Sequence, residues 1–437
     1  MIIESRFWKI WSFLDDADFL KCPNALKPAV SFYHKEFWQI LKTESIGLLT
    51  MFNAYYDARE HLRVHNESWI RIVAFVHPKN PQTKLFCQLW FDGIDDVIVS
   101  EVHEYLLMWP DGWELTDQES PPYLVSCKNP LMTTGLVPAS VSLVERQCDN
   151  ATNFIDINYN RPETERLELA ICTKLYDYKD DRSIELVEWI ETQLILGVAK
   201  IIFHVRDVNR EMMKVLRFYE QLGKVDIESM TTPDGLDAQW MKNEMIGFND
   251  CLYKNMYRFK YLLPIDVDEI IVPTRTDDKT LLDLMHKRLI PMALKMNPNG
   301  VINNMFQNAF FLIENDQTAE VQPGVPANSH FLQHIFRAAS FAKPGIAVKS
   351  IVNADWVTVL FNHQAIRCFY SCNTLEVPPD EGKLQHYRRN GCGEGFTDAE
   401  CQDFRLNTMK DATLLKYKDE IISNVKESIG KLKNFES

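Results

Sequence analysis

Two aspartates spaced by one residue, Asp266 and Asp268, stand in the segment IDVDEIIVP (residues 265–273), with Glu269 directly behind them. Carboxylates so spaced at a strand end reach one cation once the chain leaves the regular pleat, and oxygen ligands suit Mg²⁺ or Mn²⁺. A divalent ion held there would neutralise a diphosphate leaving group as the bond to the transferred group breaks. Taken alone, D-x-D also describes an exposed acidic turn or a helix cap. Here apolar FKYLLP precedes the pair and IIV follows it. The acids therefore stand at the edge of a core, where their mutual repulsion favours a cation. The rival chemistry is a phosphatase whose first Asp is the nucleophile. It needs the motif near the start of its domain, whereas several strand and helix units precede Asp266.

The positioning elements follow from periodicity. LELAICT (167–173) reads as a strand. A helix capped by Asp181 or Ser183 follows, with Ile184, Val187, Ile190 and Leu194 on one face and Gly197 as its stop. KIIFHV (200–205) reads as a strand, EMMKVLRFYEQL (211–222) as an amphipathic helix ended by Gly223, and KVDIESM as a strand. A helix over Ala238 to Asn255 precedes the strand FKYLLPID, which runs into the acids. Such alternation predicts a mainly parallel sheet covered by helices on both faces, and ligands collect at the carboxyl ends of such strands. Further on, LLDLMHKRL reads as helical, VINNMFQNAFFLI (301–313) and VTVLFNHQAI (357–366) as strands, and the last 40 residues as helical and charged.

The first half has another texture. WIRIVAFV (69–76), KLFCQLWF (84–91) and VIVSEVHEYLLM (97–108) are short apolar runs between turn-forming segments, and PPYLVSCKNP and VPASVSLVERQC continue them. They predict an antiparallel sheet or small sandwich with no catalytic constellation. The expected organisation is a β-rich domain over 1–160, a catalytic domain over 165–395 and a helical extension over 396–437.

A formal charge of −14 opposes nucleic acid and anionic membrane surfaces as partners. No apolar run of the roughly 18 residues needed for a bilayer span occurs, and Glu4, Arg6 and Lys9 interrupt any signal-peptide core. The chain thus shows no anchor, and is either soluble or without one carried by the natural product. Ten cysteines lack C-x-x-C zinc spacing, and two sequons, Asn66-Glu67-Ser68 and Asn150-Ala151-Thr152, point to the secretory pathway.

The segments LVEWIETQLILGVAKIIFHV (186–205), VLRFYEQLGKVDI (215–227), NDCLYKNMYRFKYLLPIDVDEIIVP (249–273) and LQHYRR (384–389) resemble, in order and spacing, those of glycosyltransferase family 92, the DUF23 family. The resemblance covers residues 165–395 and is weaker before them. It implies a GT-A fold, Rossmann-like and α/β, a Mn²⁺ or Mg²⁺ cofactor, a UDP-sugar donor (UDP-galactose), a glycan acceptor, inversion at the anomeric carbon and a place in the Golgi lumen. It carries the metal role onto Asp266 and Asp268, with Glu269 beside them. Ile270 departs from the usual aromatic, and HVRDVNRE (204–211) from the common acidic, serine-rich loop.

GT-A enzymes often add a C-terminal histidine to the metal, for which His386 is the first choice and His363 the alternative. Arg388 and Arg389 are candidates for phosphate oxygens, and Asn249 and Asp250 for the ribose or phosphates. An inverting reaction needs a base for the acceptor hydroxyl, and Glu314 and Asp316, after NAFFLI, are the candidate carboxylates. Glu188 and Trp189 read as an anchor under the nucleotide site. The alternative function is a glycan-binding or scaffold protein that keeps the fold without turnover.

Overall fold

The computed structural model describes residues 20–23, 25, 27–28, 38–44, 47–77, 81, 84–116, 119–160, 165–233, 235–236, 239–313, 322–389, 391–393 and 395–435. The chain is mixed α/β and divides into two compact units, residues 1–161 with 231–254, and 162–230 with 255–437.

In the first unit, strands β1 (Gly47–Asp57), β2 (Trp69–His77), β3 (Phe86–Trp90), β4 (Val97–Leu107), β5 (Pro122–Lys128), β6 (Ser140–Val144) and β7 (Ile155–Asn158) pair in the order β4-β3-β6-β7-β1-β2-β5 and back to β4. This is a closed barrel, where the sequence predicted an antiparallel sheet or small sandwich. Closure comes from β4. Its first half pairs β3 through Ile98–Glu101, its second half pairs β5 through Val102–Leu107, and an irregularity between Val102 and Glu104 bends it between the two. Nothing in the apolar run signals that bend. Ile70, Ile72, Ala74 and Val76 alternate into the barrel interior, as period-two patterning requires. The Cys87–Cys127 disulfide links β3 and β5, which do not pair with each other.

In the second unit, β8 (Leu167–Cys172), β9 (Lys200–Val208), β10 (Val225–Ser229) and β11 (Phe259–Pro264) form parallel neighbours in the order β10-β9-β8-β11. Beyond β11 the order continues with antiparallel β15 (Lys349–Asn353), then β13 (Asn303–Phe306) and β16 (Thr374–Val377). A three-stranded sheet holds β12 (Glu269–Pro273), β17 (Gly382–Arg388) and β14 (Asn308–Leu312) in that order. The run read as one strand over 301–313 therefore splits at Gln307: Asn303–Phe306 lies in the large sheet and Asn308–Leu312 in the small one. Likewise VTVLFNHQAI is a hairpin. Val357–Leu360 pairs antiparallel with Ala365–Cys368, so His363 lies in the polar turn between them and not on a strand.

Helix α1 (Ser183–Ile195) stops at Gly197, whose φ of 92° suits a residue without Cβ and whose N–H donates to Leu194 O at 3.0 Å. Its buried surface is wider than the predicted stripe. Ile184 is exposed, whereas Glu188, Glu191 and Gln193 are buried. Burial of these polar groups is offset by hydrogen bonds: Glu191 Oε1 accepts from Tyr219 Oη, on α2 (Arg210–Gln221), and from Ser428 Oγ, on α3 (Lys418–Leu432), each at 2.6 Å.

Disulfides Cys22–Cys148, Cys368–Cys372 and Cys392–Cys401 add to Cys87–Cys127, and no described cysteine is free. Among the described residues, no helix is long and apolar enough to cross a membrane.

Candidate active site

Asp266 and Asp268 occupy the turn in which the chain leaves the large sheet at β11 and enters the small one at β12. The turn is closed on itself. Asp266 N–H donates to Glu269 Oε2 at 3.1 Å and Glu269 N–H donates to Asp266 O at 3.1 Å. Its two ends are fixed from outside. Trp189 Nε1–H and Gln193 Nε2–H, both on α1, donate to Glu269 O at 2.9 and 3.3 Å, and Tyr387 N–H donates to Asp268 O at 2.8 Å. Val267 turns into the surrounding apolar cluster. The pair is thus presented by a rigid turn at the carboxyl end of a parallel strand.

His386 arrives through strand register, opposite Glu269 on β12 and opposite Phe310 on β14. Its Nε2 stands 3.6 Å from Asp268 Oδ2, while its Nδ1 lies 3.2 Å from Glu269 Oε1 and 3.0 Å from Asn308 Nδ2. Lys349 enters from β15. Its buried ammonium lies 3.3 Å from Asp266 Oδ2 and 3.3 Å from Glu269 Oε2, and donates to Asn362 O at 3.1 Å. Lys174, just past β8, places Nζ 3.6 Å from Asp266 Oδ1, an oxygen that is buried and accepts no hydrogen bond.

Charge sorts these acids. Burial would raise Asp266, but Lys174, Lys349 and His386 overcome it and hold this carboxyl well below the usual range. Asp268 is likewise lowered against burial, by His386 first. Glu269 goes the other way, raised because burial outweighs Lys349 and His386. His363 is held neutral, down to about 3, by burial and by the Lys349 charge.

The structure therefore gathers Asp266, Asp268, Glu269 and His386, with His363 near enough to feel Lys349 and Asp266. Arg388 is turned elsewhere, its Nη1 donating to Cys392 O at 3.3 Å. Asn249 and Asp250 are fully buried in the barrel unit. Asn249 Nδ2 donates to Met245 O at 2.8 Å, and Asp250 accepts from Asn53 at 2.7 Å, from Tyr55 and from Lys254 at 2.7 Å. Glu314 and Asp316 lie outside the described residues. Lys174 and Lys349 carried no signal in the sequence: each is a lone lysine beside a strand candidate, recognisable only once the strands are assembled.

Among the described residues, no three His, Cys, Asp or Glu side chains are already gathered around a metal position. The donor chemistry nevertheless fits an oxygen-preferring divalent ion: Asp266 Oδ1 is orphaned, Asp268 Oδ2 is partly exposed, and His386 Nε2 faces it. Ions of the Mg²⁺ class are commonly held by one or two carboxylates plus substrate phosphates, not by an all-protein cage.

Glu188 explains how α1 is locked. Its carboxylate accepts from Ser329 Oγ and from the backbone N–H groups of His330 at 2.6 Å, Phe331 at 3.2 Å and Leu332 at 3.3 Å. Glu188→Ala strands buried backbone donors and is expected to lower unfolding free energy by about 3 kcal/mol. Urea denaturation measures it, and a loss under about 1 kcal/mol would show that the 329–332 turn finds other acceptors.

The model of glycosyltransferase family 92 matches residues 168–425, more than half of the chain. Beta-1,4-galactosyltransferase galt-1 of Caenorhabditis elegans is 25% identical over 236 residues, 51% of this chain and 51% of that protein. The chain thus spans about half the length of that curated relative. Among solved structures, the WbbM bifunctional glycosyltransferase in its apo form matches 33% of this chain and 25% of its own, at 13% identity and a TM-score of 0.20, too low for any argument about fold.

Proposed function

Because the chain belongs to glycosyltransferase family 92, we propose that it transfers a hexose, galactose, from a UDP-sugar to a glycan acceptor with inversion at the anomeric carbon. One observation supports the reading: Asp268 Oδ2 and His386 Nε2 face each other at 3.6 Å, and the neighbouring Asp266, whose Oδ1 accepts no hydrogen bond, is flanked by two ammonium groups, Lys174 and Lys349. That combination of acids for a cation and cations for an anion suits a metal-bound diphosphate.

Asp266, Asp268 and His386 would hold Mn²⁺ or Mg²⁺, which when bound supplies charge neutralisation to the departing diphosphate. The protein's own contribution is orientation. For Nε2 to act as a ligand the imidazole proton must sit on Nδ1 and be donated to Glu269 Oε1 at 3.2 Å, which requires the Asn308 amide, whose Nδ2 is 3.0 Å from Nδ1, to keep its hydrogens turned toward Ala347 O. Lys349 holds Asp266 Oδ2 and Glu269 Oε2 in place, so Oδ1 is the free arm of Asp266. Lys174 is placed to meet phosphate oxygens from the other side.

The four parallel strands with antiparallel β15 next to β11 support reading the large sheet as a GT-A arrangement. The disulfides and the exposed sequon residues Asn66 and Asn150 support residence in the Golgi lumen. The test is a panel of UDP-sugars incubated with the protein. UDP release with UDP-galactose is expected in Mn²⁺ and lost in excess chelator. Equal release under both conditions would overturn the metal reading, and no glycan product from any donor would favour a glycan-binding scaffold instead.

A further inference from the structure

A cavity of about 580 Å³ opens at the start of α1, within the range of about 300–1,000 Å³ usual for small-molecule pockets. Asp181, Arg182, Glu185, Ser329, His330 and Arg389 line it, contributed by the start of α1, the 329–332 turn and the chain after β17. Its lining offers both hydrogen-bond donors and acceptors, as a neutral polyhydroxylated ligand requires. His330 is only 9% exposed, yet its Nε2 makes no hydrogen bond and faces Glu185 Oε1 at 3.5 Å. Its Nδ1 is 3.1 Å from Arg389 Nη2, and the same Nη2 pairs with Glu185 Oε2 at 2.6 Å. Burial and Arg389 keep His330 neutral, down to about 3, so it is a hydrogen-bonding group and not a charge. Tyr387 N–H donates to Asp268 O at 2.8 Å, and Arg389, two residues further along the same chain, pairs with Glu185, which puts the cavity on the Asp268 side of the acid pair. Lys174 and Lys349 lie on the Asp266 side.

Resting on the transferase reading above, we infer that this cavity takes the terminal sugar of a neutral glycan acceptor and that Glu185 is the general base for its attacking hydroxyl. The placement of the cations supports the assignment: Lys174 and Lys349 flank Asp266 and suit a diphosphate, whereas Arg389 in the cavity is already tied to Glu185 and His330, and an inverting reaction needs its base on the other side of the anomeric carbon. Glu185 Oε2 is anchored by Arg389, leaving Oε1 and the orphan His330 Nε2 to meet one hydroxyl group. In the step, the acceptor hydroxyl gives its proton to the Glu185 carboxylate as its oxygen bonds to the anomeric carbon. The bond from that carbon to the phosphate oxygen breaks, and its electron pair leaves with UDP.

The test compares wild type with Glu185→Gln in two measurements, equilibrium binding of UDP in Mn²⁺ and galactose transfer to a panel of neutral glycans. UDP affinity is expected to stay within about threefold, while transfer falls about 100-fold or more, the usual worth of a general base. Transfer within threefold of wild type would overturn the assignment. So would a parallel loss of UDP affinity, which would make the cavity part of the nucleotide site. If Glu185→Gln fails to fold, Glu185→Asp replaces it: retracting the carboxylate by one methylene should cost about tenfold in transfer, and unchanged transfer sinks the proposal. Absence of turnover by wild type with every donor would sink the transferase reading and this assignment together, whereas turnover by wild type with an indifferent Glu185→Gln sinks the assignment alone.

Discussion

Asp266→Asn is expected to lower galactose transfer from UDP-galactose by about a thousandfold or more, with the fold retained. The amide keeps one oxygen, and Lys349, 3.3 Å from the present Oδ2, will claim it. The amide NH₂ then takes the place of Oδ1, the oxygen now free to bind a cation, and turns two N–H bonds toward Lys174 and the metal position. An anionic donor atom is replaced by the positive end of a dipole where charge must be neutralised, which costs several kcal/mol of transition-state stabilisation, or about three powers of ten in rate. Steady-state kinetics with a Mn²⁺ titration measures the loss. Should the variant keep a tenth of wild-type activity in excess chelator, Asp266 would not be a metal ligand.

The acid pair was legible because its flanks are apolar and because strand and helix units precede it, which places it at a strand end. His386 was legible as the histidine closing the resembling region, and strand register then sets it opposite Glu269. What could not be read depends on strands that meet only in three dimensions. Lys349 opens KSIVN, a segment with no polar pattern around it, yet antiparallel β15 delivers its ammonium between Asp266 and Glu269. The helix after Ser183 was legible by period, and Glu188 on it as an anchor, though not the 329–332 turn that supplies its donors. Glu191 looks like a solvent-facing residue until Tyr219 and Ser428 supply its donors. Barrel closure was hidden for a related reason: β4 reads as one apolar run, while its two halves serve different neighbours.

Lys349→Met should separate the two roles that the buried ammonium combines. Its side chain is 1% exposed, and the substitution leaves Asp266 and Glu269 facing each other without the charge that holds them. Breaking a buried ion pair by removing one partner costs about 3–5 kcal/mol, which for a unit of this size lowers the thermal midpoint by roughly 10 °C. A cation held by Asp266 with Asp268 would offset part of what the lysine supplied. Mn²⁺ at about 100 times its dissociation constant returns about 2.7 kcal/mol, so Mn²⁺ should raise the midpoint of Lys349→Met by more than it raises that of wild type. Activity should stay low even so, because Asp266 Oδ2 loses the anchor that aims Oδ1, and the diphosphate loses a neighbouring positive charge. Scanning calorimetry with and without Mn²⁺ reads both effects. A variant as stable as wild type and indifferent to Mn²⁺ would mean that Asp266 and Glu269 carry no shared negative charge, and the case for a cation on Asp266 would fall with it.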